Sequence, residues 1–294
     1  MYDKIPEGKR SGRPAPVSQN GYREREYGMS WNENDHNWMI CAYGESGYLE
    51  SCVQSLLDQK VKSRIRICTS TPNEHIIGIA EKYGIEMLVN HGETGISGDW
   101  NFALESGESE LITLAHQDDL YAENYTEEML ERMNRARKPL IYFTNYAEVR
   151  KDEKVMANRI LRVKRVMLTP TRLAPGQKWA RRISLGCGNP ICCPSITYRK
   201  SVMEGKKFGN QFKSNLDWEM TEKLSREKGS FVYCPTVQMY HRIHEESTTS
   251  EVLGQNLRGQ EDLEMMKKFW PEGVAKVICR LYSAGEKSNQ LQKG

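Results

Sequence analysis

Residues 38–43 read Trp-Met-Ile-Cys-Ala-Tyr, a short apolar run that ends at Gly44. An apolar run of this length is typical of a buried strand. Beyond it, helical spacing relates the apolar residues Leu49, Cys52, Val53, Leu56 and Leu57. A period of 3.6 residues indicates an amphipathic helix, so the sequence predicts a strand followed by a helix, with the folded domain beginning near Trp38.

The same alternation continues along the chain. We predict further strands at residues 65–68, 85–89, 111–115 and 140–144, and helices at residues 76–83, 100–104 and 129–133. Repeated strand–helix units imply an α/β fold with a Rossmann-like, doubly wound and mainly parallel sheet. Such sheets bind ligands beyond the carboxyl ends of their strands, so the loops that begin at Tyr43, Thr69 and Ala115 form the candidate site.

Composition narrows the class of protein. With 294 residues, of which 38% are hydrophobic and 28% charged, the chain can bury one large core or a core with a smaller lobe. No run approaches the roughly 18 uninterrupted apolar residues of a bilayer-spanning helix, and the N-terminus lacks the apolar stretch of a secretion signal. The net charge of +3 is too small to indicate a nucleic-acid partner. Cys41, Cys52 and Cys68 fall in apolar patterns, which favours reduced thiols and a cytoplasmic location.

Three regions are expected along the chain. Residues 1–36 are polar and rich in Pro and Gly, which predicts an extended or disordered lead-in. Residues 37–250 form the main domain, with halves at 37–145 and 146–250, and residues 251–294 form a C-terminal helical extension. In that extension, Val274, Val277 and Leu281 share one helical face. This face packs on the main domain, rests on a membrane or pairs with another chain such as a second copy, and the sequence does not separate these uses.

Only the third candidate loop concentrates charge, because it reads His116-Gln117-Asp118-Asp119. Two adjacent carboxylates after a buried strand repel each other unless a cation compensates them. Mg²⁺ or Mn²⁺ is commonly held by one or two carboxylates together with substrate phosphates, which suits a nucleoside diphosphate. The alternative is that both residues only cap a turn, as an isolated Asp-Asp pair more often does.

Four separated blocks support the metal interpretation, at residues 41–52, 95–101, 116–121 and 215–220. Their order and spacing resemble the family 2 glycosyltransferases of the GT-A fold. The first block is similar to the family's first strand, loop and helix, and the second resembles its Gly-x-x-x-Ala-Arg-Asn segment. The third falls where the family has Asp-x-Asp-Asp, and the fourth resembles the Glu-Asp block that supplies the catalytic base. Each motif is weak alone, but the combination is specific.

The resemblance implies a metal-dependent, inverting glycosyltransferase with a smaller acceptor-side lobe. It implies a nucleotide-diphospho-sugar donor, with a UDP-sugar favoured, and Mn²⁺ or Mg²⁺ as cofactor. The acceptor would be a saccharide or a lipid-linked saccharide, in cell-surface polysaccharide synthesis at the inner face of the cell membrane. The implied residues are Asp217 as base, Asp118 and His244 as metal ligands, and Asp119 and Trp218 as acceptor contacts. The implied donor contacts are Ala42, Tyr43, Glu45, Thr69, Ser70, Asp99, Asn101, His116, Gln117 and Arg242.

Two positions depart from the family pattern. The second strand of the family usually ends in aspartates that contact the base or ribose, whereas residues 68–70 are Cys-Thr-Ser here. The first aspartate of the metal motif is replaced by His116, whose neutral imidazole brings no fixed negative charge but can hydrogen-bond a ribose hydroxyl. Asp118 is therefore expected to carry the metal alone.

Simpler roles exist for several of these residues. Asp217 precedes an amphipathic helical pattern, where a first-turn carboxylate is favoured by the helix dipole, and Trp218 beside it could equally pack in the core. The terminal block at residues 240–249 resembles a family segment that closes over the donor phosphates, where Arg242 and His244 would stabilise the leaving group. A lone histidine such as His244 more often has an ordinary surface or core role.

A basic stretch at residues 151–182 holds ten Lys or Arg residues against two acidic ones. It could grip a phosphate-bearing acceptor or lie against an anionic membrane, although a solvated charged loop is the simplest interpretation.

Two other classes of protein compete with a glycosyltransferase. A sugar-nucleotide pyrophosphorylase should carry a Gly-rich basic loop after the first strand, and residues 43–46 do not supply one. A non-catalytic nucleotide- or glycan-binding paralogue of the same fold is the remaining alternative, favoured by the aspartates missing at residues 68–70 and 116.

Overall fold

The computed structural model describes residues 30–244 and 255–290. Residues 1–29 of the predicted lead-in therefore lie outside the described residues, as do residues 245–254. The first strand begins at His36, two residues before the predicted start of folding.

The first half of the chain alternates strands and helices, as predicted. Its elements are β1 (His36–Ala42), α1 (Leu49–Leu57), β2 (Arg64–Thr69), α2 (Glu74–Tyr83), β3 (Glu86–Val89), α3 (Ile96–Ser106), β4 (Leu111–His116), β5 (Leu120–Tyr121) and α4 (Tyr125–Arg135). Local signals explain the limits of α2, because the Asn73 side chain accepts from the Ile76 amide at 2.9 Å and Gly84 ends the helix at a φ of 61°.

The second half is more irregular. Its elements are β6 (Pro139–Arg150), β7 (Glu153–Val155), α5 (Arg159–Met167), α6 (Thr169–Leu173), α7 (Lys178–Leu185), β8 (Ile196–Arg199), α8 (Lys200–Met203), α9 (Leu216–Ser225), β9 (Ser230–Arg242), α10 (Gln255–Lys267) and α11 (Glu272–Gln290). The interpretation of residues 151–182 as a solvated loop is wrong, because α5, α6 and the first part of α7 occupy most of this stretch.

Within the described residues, the strands form one sheet in the order β3-β2-β1-β4-β8-β6-β9-β5, with β7 beside β6. Strands β3, β2, β1 and β4 are parallel, and so are β6 and β9, whereas β8 runs antiparallel between β4 and β6. Buried apolar clusters cover both faces of this sheet. The α/β fold prediction is confirmed. None of the described helices combines the length and the apolar character that crossing a bilayer requires.

Candidate active site

The three predicted loops meet at one edge of the sheet. Strand β1 lies between β2 and β4, with Ala42 in register with Thr69 and Cys41 with His116. Because these strands are parallel, their carboxyl ends and the loops after them lie side by side. The topology therefore brings the predicted donor-binding residues and the Asp-Asp pair together.

Side-chain hydrogen bonds fix the backbone of these loops. The Gln117 side chain accepts from the Tyr43 amide at 3.0 Å and donates to the Tyr43 carbonyl at 2.9 Å. The Gly44 amide donates to Thr71 Oγ1 at 2.8 Å, and Asn73 donates to the Gly44 carbonyl at 3.0 Å. Gln117 thus holds the first loop against the third, while the side chain of Tyr43 is exposed.

Asp118 faces the end of β9. Its Oδ2 lies 2.9 Å from Nε2 of His244, and the ring of Tyr48 packs 5.1 Å from that imidazole. Burial opposes ionisation of Asp118, but the nearby charge of His116 and the His244 hydrogen bond outweigh it and hold the pKa below its ordinary value. Asp118 is therefore a carboxylate at neutral pH, as a metal ligand must be.

Asp119 is fully buried and serves the loop itself. Its Oδ1 lies 2.9 Å from Nδ1 of His241 and accepts from the Arg242 amide at 2.9 Å. Burial works against protonation of His241, yet the charge and hydrogen bond of Asp119 raise its pKa above the ordinary value. Of the two roles expected for Asp119, support of the loop or contact with the acceptor, its buried side chain matches support of the loop.

The loop also carries polar atoms that lack a protein partner. Ligand atoms of His116, Asp118 and Asp119 all lie within 4.8 Å of one another. Among the described residues, the buried atoms His116 Nε2, Asp119 Oδ2 and His244 Nδ1 have no hydrogen-bond partner. Unsatisfied buried nitrogen and oxygen atoms are costly, and a divalent cation with a bound diphosphate would satisfy such a set. The residues present therefore fit a metal.

Arg242 lies against the loop of residues 116–119. Its Nε donates to the Asp118 carbonyl at 3.1 Å, one terminal nitrogen pairs with Asp152 at 2.9 Å, and its guanidinium lies 4.3 Å from the centre of the Tyr48 ring. These contacts place a fixed positive charge next to Asp118.

On the donor side, Asp99 lies where the family's second-strand aspartates are missing. Ser70 Oγ donates to Asp99 Oδ2 at 2.9 Å, and Asn90 donates to Oδ1 at 2.8 Å. Gly98 permits this approach of α3, because a Cβ there would come within 2.2 Å of the Glu93 carbonyl oxygen. A carboxylate therefore stands beside the end of β2 although that strand contributes none.

The remaining predicted donor residues differ in accessibility. Ala42 and Thr69 are buried, and Glu45 is exposed. Asn101 makes two hydrogen bonds to the backbone of Phe208, at 2.9 and 2.8 Å. The side chain of Asn101 therefore fastens the loop after α8 to α3, so a donor contact by its amide is not what the structure shows.

Asp217 lies in the first turn of α9, at the front of a helix as predicted. Its Oδ2 accepts from Asn189 at 2.7 Å and its Oδ1 accepts from the Trp218 amide at 2.8 Å. Burial raises the pKa of Asp217 above its ordinary value, although these hydrogen bonds and the charges of Lys164 and His116 oppose the rise. A partly desolvated carboxylate with a raised pKa is the kind of group that accepts a proton efficiently near neutral pH.

Trp218 does not line the site. Its side chain is fully buried, donates from Nε1 to the Leu185 carbonyl at 3.1 Å and stacks near Phe269. The prediction that Trp218 stacks on an acceptor sugar is wrong, and the simpler core role is correct.

Sequence reasoning missed three residues of this site. Trp100 occupies the arginine position of the family segment and stacks on His116 with ring centres 5.2 Å apart. His241 holds Asp119, and Asn189 holds Asp217. Trp100 could have been found from its place in the quoted motif, but no local pattern indicates the long-range partners His241 and Asn189.

Comparison with known proteins identifies the family and the fold. The family model "Glycosyl transferase family 2" matches residues 38–246. Residues 1–349 of S. aureus TarS, solved with UDP-GlcNAc, superpose with a TM-score of 0.58 at 15% identity, covering 83% of this chain and 70% of that one. The mannosyltransferase PcManGT from Pyrobaculum calidifontis, solved with GDP-Man and Mn²⁺, gives 0.59 at 12% identity, covering 89% and 76%. No curated protein matches the chain. At such identities the two structures establish a shared GT-A fold.

Proposed function

Because the chain belongs to glycosyl transferase family 2, we propose that it transfers a sugar, with inversion, from a nucleotide-diphospho-sugar to a saccharide or lipid-linked acceptor. The observation that carries this proposal is the loop at the end of β4, where ligand atoms of three residues gather within 4.8 Å. Among the described residues, the buried atoms His116 Nε2 and Asp119 Oδ2 of this group have no hydrogen-bond partner. A UDP-sugar is the favoured donor, which agrees with the UDP-GlcNAc bound by TarS, although PcManGT binds GDP-Man.

Asp118 is the proposed ligand for Mn²⁺ or Mg²⁺, with His116 and Asp119 close enough to contribute. His244, proposed from sequence as a ligand, hydrogen-bonds Asp118 and so either orients that carboxylate or shares its ion. When bound, the cation would neutralise the diphosphate and the charge that grows on it as the sugar leaves. The Mn²⁺ in PcManGT supports this choice of metal.

Asp217 is the proposed base. The acceptor hydroxyl oxygen attacks the anomeric carbon, its proton passes to the Asp217 carboxylate, and the bond from that carbon to the diphosphate oxygen breaks. Attack from the face opposite the leaving group inverts the anomeric centre. Asn189 positions the carboxylate for this step through its 2.7 Å hydrogen bond.

Asp99 and Ser70 are proposed to recognise the nucleoside. Their 2.9 Å hydrogen bond places a carboxylate and a hydroxyl at the end of β2. These groups would replace the aspartates that the family usually carries there, so they suit hydrogen bonds to the base or the ribose hydroxyls. Arg242 is proposed to stabilise the released diphosphate, since its charge lies directly behind the Asp118 carbonyl. We place the reaction in cell-surface polysaccharide synthesis, at the cytoplasmic face of the membrane.

The test is release of nucleoside diphosphate from a panel of UDP- and GDP-sugars, measured with Mn²⁺, with Mg²⁺ and with EDTA. We expect release from at least one donor only with a divalent cation, and loss of release in Asp118→Ala. Metal-dependent binding without consumption of any donor, across a panel of saccharide and lipid-linked acceptors, would favour the non-catalytic paralogue instead. The substitutions at His116 and at residues 68–70 are the observations behind that second candidate.

A further inference from the structure

Helix α5 buries Leu161 but departs from an ordinary surface helix at residues 163–166. Lys164 points inward and donates to Tyr146 Oη at 3.0 Å, and Arg165 donates to the Met156 carbonyl at 2.6 Å. Val163 and Val166 point outward, with Val166 70% exposed. A helix that only packs on its own core places apolar residues inside and charges outside. Val163 and Val166 on the outward side of α5 are therefore largely uncovered by the residues that the structure describes.

Helix α7 departs from the ordinary pattern in a similar way. Arg181 is fully buried and donates to the backbone carbonyls of Gly229, Glu227 and Pro175. Trp179 and Ile183 lie one helical turn apart and are both exposed, Trp179 by 57%. Each helix thus has an arginine or lysine side chain that supports the fold from inside, and at least two large apolar side chains that face away from it.

These outward residues belong to three consecutive helices that pack on one another. Between α5 and α7, Leu173 at the end of α6 is 78% exposed. We call the exposed side chains of Val163, Val166, Leu173, Trp179 and Ile183 the apolar face. Exposed apolar clusters of this kind mark surfaces that bind something else.

Charge identifies the partner of the apolar face. Residues 154–203 contain no Asp or Glu at all. The exposed basic residues Arg159, Arg162, Arg172 and Lys178 lie among the apolar ones. A second copy of this chain would oppose these charges with charges of the same sign. An anionic bilayer offers both phosphates for the basic side chains and acyl chains for the apolar ones.

We propose that the apolar face docks on an anionic lipid bilayer, with Trp179 at the level of the headgroups. The docking is distinct from sugar transfer and does not depend on it. It has one consequence that does rest on the proposed function: α7 packs on α9, whose first turn carries Asp217. Docking would therefore hold the proposed base close to a lipid-linked acceptor.

The test is sedimentation of the full chain with vesicles of phosphatidylcholine and phosphatidylglycerol, compared with vesicles of phosphatidylcholine alone. We expect binding to the anionic vesicles, weakened on the order of fivefold by Arg162→Ala and abolished by Val163→Asp with Val166→Asp. Ile77→Asp, at an exposed apolar position on α2, serves as the control and should bind like the wild type. Thermal unfolding of each variant establishes that it is folded.

A second measurement covers the case in which a variant misfolds. Brominated lipids should quench part of the tryptophan fluorescence of the wild-type chain, and that part should disappear in Trp179→Phe. Absence of binding to anionic vesicles, equal binding to both vesicle types, or full binding by the double variant would each overturn the proposal. A lipid-independent dimer in sedimentation velocity that the same variants abolish would assign the apolar face to a second copy, and would also overturn it.

Discussion

Helices α1 and α7, one from each half of the chain, differ in the large side chains that they bury. In the first half, α1 buries Leu49, Val53 and Leu56 against the sheet. In the second half, α7 buries Arg181 and exposes Trp179. Apolar periodicity indicates a helix in either case. It also indicates which side faces the core only when the apolar residues lie on that side. The comparison teaches that an amphipathic pattern reports where apolar side chains lie, while the identity of their partner must come from the structure.

The halves differ in chemistry as well. The first half supplies carboxylates at strand ends, around Asp118 and Asp99, which suit a metal and a nucleotide. The second half supplies Asp217 at a helix start, where burial raises its pKa. The proposed metal ligand Asp118 and the proposed base Asp217 thus lie in separate halves, and their roles should be separable by mutation.

The largest expected effect is on turnover. Asp217→Asn removes the proposed base, so kcat should fall by about 10²–10⁴ in nucleoside diphosphate release while nucleotide binding is unchanged. Glu222→Gln is the matched control on α9, because its carboxylate pairs with Arg182 and Arg226 instead. Turnover of Asp217→Asn at the wild-type rate would show that the base assignment is wrong.

The next effect is on stability. Arg181→Ala leaves several backbone carbonyls without donors, so the free energy of unfolding in urea should fall by about 2–3 kcal/mol. Lys178→Ala on the same helix is exposed and should change it by less than about 0.5 kcal/mol. Equal losses for both variants would mean that the buried arginine does not support the second half as the structure indicates.

The pH dependence of turnover sharpens the role of Asn189. A base acts only when it is deprotonated, so kcat should fall as the pH drops through the pKa of Asp217, which lies above the ordinary aspartate value. Asn189→Ala removes a hydrogen bond to the carboxylate, which raises this pKa further and moves the acid limb of the kcat profile to higher pH. If kcat falls while the acid limb of its pH profile stays at the wild-type pH, Asn189 only packs against its neighbours and does not set the pKa of Asp217.

The smallest expected effect is a change in stability at an exposed valine of α5, which is compared with a buried valine of α1. Val166→Ser on the outward face of α5 should change the free energy of unfolding by less than about 0.5 kcal/mol. Val53→Ser on α1 buries a hydroxyl and leaves a gap, so it should cost about 2 kcal/mol or more. If Val166→Ser is equally costly, the outward face of α5 is covered by the protein itself.

Much of the first half could be predicted from sequence, because local rules apply there. Short apolar runs and helical spacing gave β1 to β4 and the helices between them, and parallel pairing then placed their loops together. Asp118 and Asp217 were located by motif, and the structure puts them at a strand end and a helix start as expected.

What sequence missed was decided by contacts between distant residues. Asp119 hydrogen-bonds His241, which is 122 residues away in the sequence, and Asn101 hydrogen-bonds the backbone of Phe208, 107 residues away. Helices α5–α7 escaped prediction because a stretch dense in Lys and Arg resembles a solvated loop until some of those charges are seen to be buried. Trp218 is the opposite case. Its place beside the proposed base suggested an accessible side chain, but that side chain is buried in the core.

The most direct test of the central claim is calorimetric binding of nucleoside diphosphate, UDP first, with Mn²⁺ and with EDTA. Mn²⁺ should tighten binding in the wild type and in Asp217→Asn alike, and should have no effect in Asp118→Ala, because Asp118 is the proposed metal ligand. Binding that ignores Mn²⁺ in the wild type, or that keeps its full Mn²⁺ dependence in Asp118→Ala, would contradict a metal and diphosphate site in the His116–Asp119 loop.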